Sequence, residues 1–427
     1  MKIEQLHSLF LKCNSVNTDT RKIKKGDIYF ALKGETFNGN AFAEEALRKG
    51  AQYAIVDEKE FQTSSNSILV DNVLETLQSL ATYHRNYLKL PIIAITGSNG
   101  KTTTKELINA TLSIKYQTIA TKGNLNNHIG VPLTLLSMDK TTEIGIVEMG
   151  ANHLKEIDFL CQIARPDYGY ITNFGKAHLE GFGSLEGVIK GKTELYDYLI
   201  KHDKTIFINS NDEVQVEKTK KTNNVFSFGS KNSKLLIELL GLTPYVDVKF
   251  NDIEIHSQLI GEYNFNNITA AIAIAKYFEV SDIKIKKAIE SYVPSNNRSQ
   301  IIEKETHKIL LDAYNANPTS MIAALRNFEK LDDKFKVVIL GDMFELGKEA
   351  PIEHQSIADL ASTLLIDKAI LIGENFSKTK IISPKVMIFN SFEDFKHSDM
   401  ISNLKNHTIL IKGSRGMALE RILPLLN

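Results

Sequence analysis

The chain has 427 residues, which at about 100–200 residues per domain predicts two to four domains, with three as the central expectation. Hydrophobic residues make up 43% and charged residues 24%, the balance of a soluble globular protein. The 51 Lys and Arg residues equal the 51 Asp and Glu residues, and this zero net charge argues against nucleic acid or an anionic membrane surface as a partner.

Cysteine usage and the apolar segments predict a cytoplasmic protein. Cys13 and Cys161 are far apart and neither has a CxxC partner, so neither a disulfide framework nor a zinc site is expected. The N-terminal segment lacks the long apolar run of a signal peptide. No stretch approaches the roughly 18 apolar residues of a membrane span, so membrane insertion is not expected.

Residues 1–88 are predicted to form a first domain. Short runs rich in apolar and β-branched residues predict strands at 26–32, 51–57 and 67–71. The amphipathic segment 41–50 ends in a glycine and predicts a helix, as does the segment that begins at 75 and ends before Pro91. The first domain boundary is therefore expected at the end of this second helix.

Residues 89–292 are predicted to form a central domain and residues 293–427 a third one. The polar, proline-containing stretch 291–300 is the candidate linker between them. Strands are predicted in the central domain within 92–96, 143–151, 167–178 and 205–212, and in the third domain within 308–314, 336–342, 368–374, 386–390 and 408–416. Helical segments such as 266–278 and 319–330 lie between them.

This alternation of strands and helices predicts an α/β fold with mostly parallel sheets in all three domains. The third domain is expected to be Rossmann-like in topology. It carries no GxGxxG fingerprint, so no dinucleotide site is inferred there.

A phosphate-binding loop is the strongest functional signal in the chain. The apolar strand at 92–96 leads into the sequence Gly97-Ser98-Asn99-Gly100-Lys101-Thr102, and apolar residues at helical spacing follow. Such a turn directs consecutive backbone N–H groups at one anion. Lys101 can then reach the β- and γ-phosphates of a nucleotide, and the Thr102 hydroxyl can bind Mg²⁺. Ile95 stands where the full Walker pattern has its first glycine, and the shortened motif alone does not separate a kinase, switch, motor or ligase.

Three further polar residues of the central domain are candidates with ordinary alternatives. Glu148 ends a predicted strand and is expected near the phosphate loop as a metal ligand, because ligands lie beyond the carboxyl ends of parallel strands. It could equally be a solvated carboxylate. His178 follows another strand and could be a structural hydrogen-bonding residue. By its pattern alone, Lys192 would be interpreted as a solvated surface lysine.

Taken together, these segments resemble the Mur ligase family, the ATP-dependent amide ligases of peptidoglycan precursor synthesis. The motifs DAYNANP and GDMFELG are most similar to the branch that adds D-alanyl-D-alanine. The matching segments, in chain order, are TGSNGKTTTK (96–105), NLNNHIGVPLTLL (124–136), VEMGA (147–151), ITNFGKAHLEGFGS (171–184), KGKTELYDYL (190–199), GEYNFNNITAAIAIA (261–275), PSNNRSQ (294–300), LLDAYNANPTS (310–320) and LGDMFELG (340–347).

The resemblance implies roles for individual residues. Residues 18–47 resemble the UDP-binding domain of these ligases, and Thr20, Arg21, Lys33 and Gly34 are candidate contacts to uridine and diphosphate unless they form only a solvated turn. The resemblance also implies that Gly97 to Thr103, with Thr103 included, bind the phosphates, that Thr102 and Glu148 bind a first Mg²⁺, and that His178, supported by a carbamylated Lys192, binds a second Mg²⁺.

For the other ligands, the resemblance implies adenine contact by Asn264 and Asn267 and nucleotide contact by Arg298 and Asp312. Dipeptide contact is implied for Tyr314, Asn315 and Asn317, which could otherwise form a helix-capping turn before Pro318.

The implied activity is an ATP-dependent ligation with an acyl phosphate intermediate. D-alanyl-D-alanine would be joined to UDP-N-acetylmuramoyl-tripeptide, with ATP and two Mg²⁺ ions as cofactors and Lys101, Lys192 and His178 as catalytic residues. The protein is expected to be a monomer that acts on small molecules. The alternatives are a sister ligase that adds diaminopimelate or lysine, a folate polyglutamate ligase, and a P-loop switch that is not a ligase.

Overall fold

The computed structural model describes residues 1–304, 307–401, 404 and 406–426. The chain is organised around three main β-sheets that follow one another along the sequence. No helix among these residues is both long and apolar enough to cross a membrane.

The first sheet is built from the N-terminal segment. Its elements are α1 (Ile3–Phe10), β1 (Val16–Asn17), β2 (Ile28–Phe30), β3 (Lys33–Gly34), β4 (Phe37–Asn38), α2 (Ala43–Arg48), β5 (Tyr53–Val56), β6 (Ser67–Leu69) and α3 (Val73–Leu88). Four parallel strands have the order β1-β2-β5-β6, and β3 pairs antiparallel with β4. The strands and helices predicted in this segment are confirmed. α3 begins after Asn72, whose side chain accepts a hydrogen bond from the Glu75 amide, and ends at Lys89 in the left-handed conformation.

The central sheet has nine strands in the order β15-β14-β13-β12-β11-β10-β7-β9-β8. Its elements are β7 (Ile92–Thr96), α4 (Lys101–Leu112), β8 (Thr118–Ala120), α5 (Gly130–Leu136), β9 (Ile144–Glu148), α6 (Glu156–Ala164), β10 (Tyr168–Ile171), α7 (Leu179–Phe182), α8 (Leu185–Lys201), β11 (Thr205–Asn209), α9 (Glu213–Thr219), β12 (Val225–Gly229), β13 (Leu235–Gly241), β14 (Tyr245–Phe250), β15 (Ile253–Ile260), α10 (Tyr263–Tyr277) and α11 (Asp282–Glu290). β13, β14 and β15 form an antiparallel meander that the sequence analysis did not predict.

The parallel part of this sheet positions the phosphate loop. All five residues of β7 are buried, as expected for a parallel strand covered on both faces. Burial of each isoleucine contributes roughly 1.5–3 kcal/mol. β7 pairs with β9 on one side and β10 on the other, so the segments that follow these three strands share one edge of the sheet.

The third sheet has six strands in the order β16-β17-β21-β18-β19-β20. Its elements are β16 (Gln300–Lys304), β17 (His307–Asp312), α12 (Pro318–Glu329), β18 (Lys336–Gly341), α13 (Ala350–Thr363), β19 (Lys368–Ile372), β20 (Val386–Phe389), α14 (Phe392–Lys396) and β21 (Thr408–Lys412). β16 pairs antiparallel with β17, and the other neighbouring strands are parallel. The predicted α/β class with mostly parallel sheets is confirmed. We propose domain limits of 1–88, 89–292 and 293–427, which remain the ranges predicted from the sequence.

Candidate active site

The turn between β7 and α4 requires glycine at two positions. Gly97 has φ +140°, and a Cβ there would lie 2.0 Å from the Thr172 hydroxyl oxygen. Gly100 has φ +79° and precedes the first residue of α4, and a Cβ there would lie 2.5 Å from Oδ1 of Asn267. Both the backbone conformation and the close approach of neighbouring side chains therefore favour glycine.

Lys101 begins α4 and lies over this turn. Its Nζ donates to the carbonyl oxygen of Gly97 at 2.7 Å and to that of Ser98 at 3.3 Å. Burial lowers the pKa of Lys101, while the nearby Glu148 carboxylate opposes that effect. The turn thus combines a cationic side chain with the N-terminus of a 12-residue helix, which is an arrangement suited to phosphate.

Glu148 faces the first turn of α4. It is the last residue of β9, it lies in register with Ile95 of β7, and only 2% of it is exposed. Its Oε2 accepts a hydrogen bond from the Thr102 hydroxyl at 2.9 Å, and its Oε1 accepts one from Asn126 Nδ2 at 2.8 Å. A solvated strand-end carboxylate is therefore excluded, and the buried carboxylate adjoins the hydroxyl that was predicted to bind Mg²⁺.

A cavity of about 1020 Å³ joins the phosphate loop to the third domain. Loop residues from Ser98 to Thr103 line one wall, and Asp312, Tyr314 and Asn317 line another. A direct hydrogen bond of 2.7 Å between Asn317 Nδ2 and Asn99 Oδ1 connects the two walls. Residues separated by more than 200 positions in the sequence therefore form one site.

Charged and aromatic groups of the third domain are fixed in this cavity. Asp312 Oδ2 accepts from Lys412 Nζ at 2.6 Å, and Lys412 is 2% exposed. The guanidinium carbon of Arg298 lies 3.4 Å from the ring centroid of Tyr314, a cation–π contact. Asn317 also accepts a hydrogen bond from the Ser320 amide and caps α12, so the capping role that we considered for this segment coexists with its place in the cavity wall.

Three family models match successive parts of the chain. They are the Mur ligase family catalytic domain at residues 12–85, the Mur ligase middle domain at 95–275, and the Mur ligase glutamate ligase domain at 297–415. A curated relative from Bacillus subtilis, a UDP-N-acetylmuramoyl-tripeptide--D-alanyl-D-alanine ligase, is 34% identical over 96% of this chain and 92% of its own length.

The chain belongs to the Mur ligase family.

Solved structures of the family agree with this assignment. MurF from Acinetobacter baumannii matches with a TM-score of 0.89 and 30% identity, covering 100% of this chain and 98% of that protein. MurF from Thermotoga maritima in complex with ADP matches with a TM-score of 0.85 and 25% identity, covering 98% of this chain and 97% of that protein. The three-domain α/β fold of this Mur ligase is thus shared along its whole length.

The cavity of this Mur ligase brings together most of the residues predicted from its sequence. They come from the loop after β7 and the first turn of α4, the end of β9, the segment before α7, the start of α10, the segment before β16, and the end of β17 with the segment that follows it. The predicted residues that line it are Ser98, Asn99, Gly100, Lys101, Thr102, Thr103, Glu148, His178, Asn264, Asn267, Arg298, Asp312, Tyr314, Asn315 and Asn317. The roles of these residues toward ligands stay predictions.

The interpretation of Lys192 as a solvated surface lysine is wrong. This residue of α8 is 0% exposed, and its Nζ donates to the carbonyl oxygen of Ala151 at 3.0 Å. The Nζ also lies 5.1 Å from the ring centroid of Phe182. Burial, followed by the charge of Lys101, holds the pKa of Lys192 well below its ordinary value. The sequence pattern could not reveal this burial, because a lysine in a helix is ordinarily expected on the solvent-exposed face, whereas Lys192 lies among the buried residues of α8.

Asn264 and Asn267 lie in the first turns of α10, and both are buried. Asn267 donates to Asn264 Oδ1 at 2.7 Å, Asn264 donates to the Ile260 carbonyl oxygen at 2.7 Å, and Thr104 donates to Asn267 Oδ1 at 3.0 Å. These hydrogen bonds connect the wall of the cavity to α4, the helix that follows the phosphate loop.

The four candidates for UDP binding lie in the N-terminal domain, outside the described lining of this cavity. Arg21 is mostly exposed and pairs with Asp19 at 2.8 Å, and Lys33 pairs with Asp57 at 3.0 Å. Thr20 opens a short 3₁₀ turn, and Gly34 ends β3. Their contact with a UDP group stays a prediction.

Sequence reasoning missed three residues that the structure brings to the site. Asn126 binds Glu148, Lys412 neutralises Asp312, and Glu345 contacts His178. Asn126 and Glu345 lie within the matching motifs NLNNHIGVPLTLL and GDMFELG, so the motifs contained a signal that was not resolved to individual side chains.

The donors near the phosphate loop fit Mg²⁺, although no group of three or more His, Cys, Asp or Glu side chains with metal-binding geometry occurs among the described residues. Mg²⁺ is usually held by one or two carboxylates, substrate phosphates and water, rather than by a cage of protein ligands. The Thr102 hydroxyl and the buried Glu148 carboxylate, 2.9 Å apart beside the loop, supply such a partial ligand set.

Proposed function

We propose that this chain is an ATP-dependent ligase that joins D-alanyl-D-alanine to the terminal carboxylate of UDP-N-acetylmuramoyl-tripeptide and so produces the pentapeptide precursor of peptidoglycan. The observation that carries the proposal is the single cavity in which the phosphate loop faces the DAYNANP segment of the third domain. The curated relatives that carry this activity in their names, at 31–34% identity over 95–99% of the chain, support it.

The chemistry requires activation of a carboxylate, because an unactivated carboxylate has no leaving group for an amine to displace. Transfer of the ATP γ-phosphate to the substrate carboxylate gives an acyl phosphate. The dipeptide amine then attacks its carbonyl carbon, and inorganic phosphate leaves as the amide forms. Two anions must approach each other in the first step, so catalysis depends on positioned positive charge.

Different residues of this chain would bind the phosphates, neutralise their charge and hold the metal ions. Gly97 to Thr103 would bind the phosphates through backbone N–H groups, and Lys101 would neutralise the charge that develops on the transferred group. Thr102 and Glu148 would hold a first Mg²⁺, and His178 with carbamylated Lys192 a second. The ions would supply charge neutralisation and orientation of the phosphate oxygens.

The lysine environment supports the carbamylation proposal. CO₂ reacts only with a neutral amine, and burial beside the positive Lys101 favours the neutral form of Lys192. The new N–C bond would release one proton and leave a carbamate with a single negative charge.

The third domain would bind the incoming amine. Tyr314, Asn315 and Asn317 line the wall opposite the phosphate loop, where a dipeptide could meet the activated carboxylate. Enclosure between two domains would also protect the acyl phosphate from water. We further propose that the enzyme works as a cytoplasmic monomer, with Thr20, Arg21, Lys33 and Gly34 of the N-terminal domain as contacts of the UDP group.

A phosphate-release assay tests this function. UDP-N-acetylmuramoyl-tripeptide and ATP would be offered with D-alanyl-D-alanine, single D-alanine or diaminopimelate, and Lys101→Met would serve as the matched inactive protein. We expect release only with the dipeptide and a product mass that corresponds to the pentapeptide. A parallel reaction would contain UDP-N-acetylmuramoyl-dipeptide, ATP and diaminopimelate, and phosphate release there would instead identify the sister ligase. Release that is independent of any amine would support a switch.

A further inference from the structure

A loop of the third domain contacts the start of α7 at two adjacent points, one at His178 just before this helix and one at Glu180 within it. The loop lies between β18 and α13 and contains Glu345, whose Oε2 is 2.5 Å from Nδ1 of His178. The backbone carbonyl of the same glutamate accepts a hydrogen bond from the Glu180 amide at 3.1 Å. The contact thus fixes both the main chain and the side chain of Glu345 against the central domain.

Both partners have an uncommon backbone conformation. His178 has φ +54° and Glu345 has φ +62°, in the left-handed region that costs a residue with a side chain about 1–2 kcal/mol. Such strain persists only where surrounding contacts over-determine it, and it is often found at functional sites. The two strained residues contact each other and line the same cavity, which points to a function for their geometry.

The hydrogen bond also determines what the other ring nitrogen can do. A neutral imidazole has one N–H donor and one lone pair, and a carboxylate can only accept. In the neutral ring, Nδ1 opposite Glu345 therefore carries the hydrogen, and this arrangement leaves the lone pair on Nε2. Histidines that bind metals commonly donate their second nitrogen to a carboxylate, which fixes both the tautomer and the ring orientation.

We propose that Glu345 is a positioning residue that orients His178 as a metal ligand. This inference rests on the proposed function. The ligand belongs to the central domain and its orienting carboxylate to the third domain, so the second metal site is complete only when these domains are in the arrangement seen here. Binding of the second ion and closure of the cavity are thereby coupled.

Two substitutions of Glu345 separate orientation from direct metal binding. Glu345→Gln keeps an oxygen that accepts from Nδ1–H, whereas Glu345→Ala removes it. Loss of such an outer partner typically lowers metal affinity by about 10–100-fold. We expect Glu345→Ala to raise the half-saturating Mg²⁺ concentration by about this factor, with most of kcat recovered at saturating Mg²⁺, and Glu345→Gln to remain near the wild type.

A binding measurement without turnover provides the second readout. Mn²⁺ would be titrated into the full-length protein with a non-hydrolysable ATP analogue and followed by electron paramagnetic resonance. We expect the weaker Mn²⁺ site to lose affinity in Glu345→Ala and to keep it in Glu345→Gln. Equal losses in both variants would overturn the proposal in favour of Glu345 as a direct ligand, and an unchanged Mn²⁺ affinity in Glu345→Ala would overturn it outright.

Another contact between the same two domains supplies a matched control. Lys176 Nζ lies 2.6 Å from Glu353 Oε1, and neither residue lines the cavity. Glu353→Gln weakens this contact without touching His178, so it should leave the half-saturating Mg²⁺ concentration unchanged. A rise as large as that in Glu345→Ala would show that domain contact alone matters and would overturn the positioning role. Failure of the proposed function itself gives a different result from failure of this positioning role. In that case the wild-type protein shows no phosphate release that depends on D-alanyl-D-alanine.

Discussion

Acidification should weaken the attachment of α1 through a buried histidine pair. His7 Nε2 lies 3.0 Å from His84 Nδ1, and His84 Nε2 lies 2.9 Å from the carbonyl oxygen of Met138. The carbonyl accepts only, so Nε2 of His84 donates to it and the Nδ1 lone pair accepts from His7. Protonation of His84 would place two N–H groups against each other, and the residues His7 and His84 are only 3% and 2% exposed.

The magnitude follows from the pKa of His7. Burial, followed by the neighbouring His84, lowers this pKa from 6.5 to about 4. Between these values the unfolded chain binds a proton that the folded protein does not, so the free energy of unfolding falls as the pH falls. The slope is about 1.4 kcal/mol per pH unit at most, which amounts to about 2 kcal/mol between pH 6.5 and pH 5.

Urea unfolding followed by far-ultraviolet circular dichroism tests this prediction at pH 7, 6 and 5. His7→Gln keeps an N–H donor toward His84 but does not titrate, so its stability relative to the wild type should rise as the pH falls. The exposed His202 provides the matched control, since His202→Gln should follow the wild type at every pH. Parallel loss of stability in the wild type and His7→Gln would refute the reasoning.

Four further predictions concern the candidate active site. Lys101→Met should lower kcat by at least about 100-fold while the melting temperature changes little, since the charge acts on phosphate; near-normal turnover would reject the phosphate-loop assignment. Glu148→Gln should raise the Mg²⁺ requirement, as measured by ATP consumption against Mg²⁺ concentration, and an unchanged curve would leave this carboxylate a structural role. Gly97→Ala should lower the free energy of unfolding by about 2 kcal/mol or more and abolish nucleotide binding, because its Cβ would lie 2.0 Å from the Thr172 hydroxyl oxygen. A Gly97→Ala variant that unfolds at the wild-type temperature and binds ADP would contradict this prediction. Lys192→Ala should lose most activity and regain part of it with added short carboxylic acids, whereas an unmodified mass of the wild-type peptide together with full activity in the variant would refute carbamylation.

The order of elements and the phosphate loop could be derived from the sequence because they depend on local patterns. Buried parallel strands such as β7 appear as apolar runs, and the glycines of the turn at 97–100 are required by backbone geometry. The meander of β13, β14 and β15 was missed, although β14 and β15 alternate between buried and more exposed residues as half-buried strands do. Only in β13 do exposed leucines, at 236 and 240, interrupt this alternation.

The tertiary structure alone decided which side chains share the cavity. The burial of Lys192 depends on which face of α8 packs inward. The contact between the central and third domains joins His178 to Glu345, which are 167 positions apart in the chain. Sequence spacing contains no information on such distances, because they are determined by packing between elements that are remote in the chain. The local motifs therefore determined the chemistry available to this protein, and the arrangement of its domains decided where the groups that perform it meet.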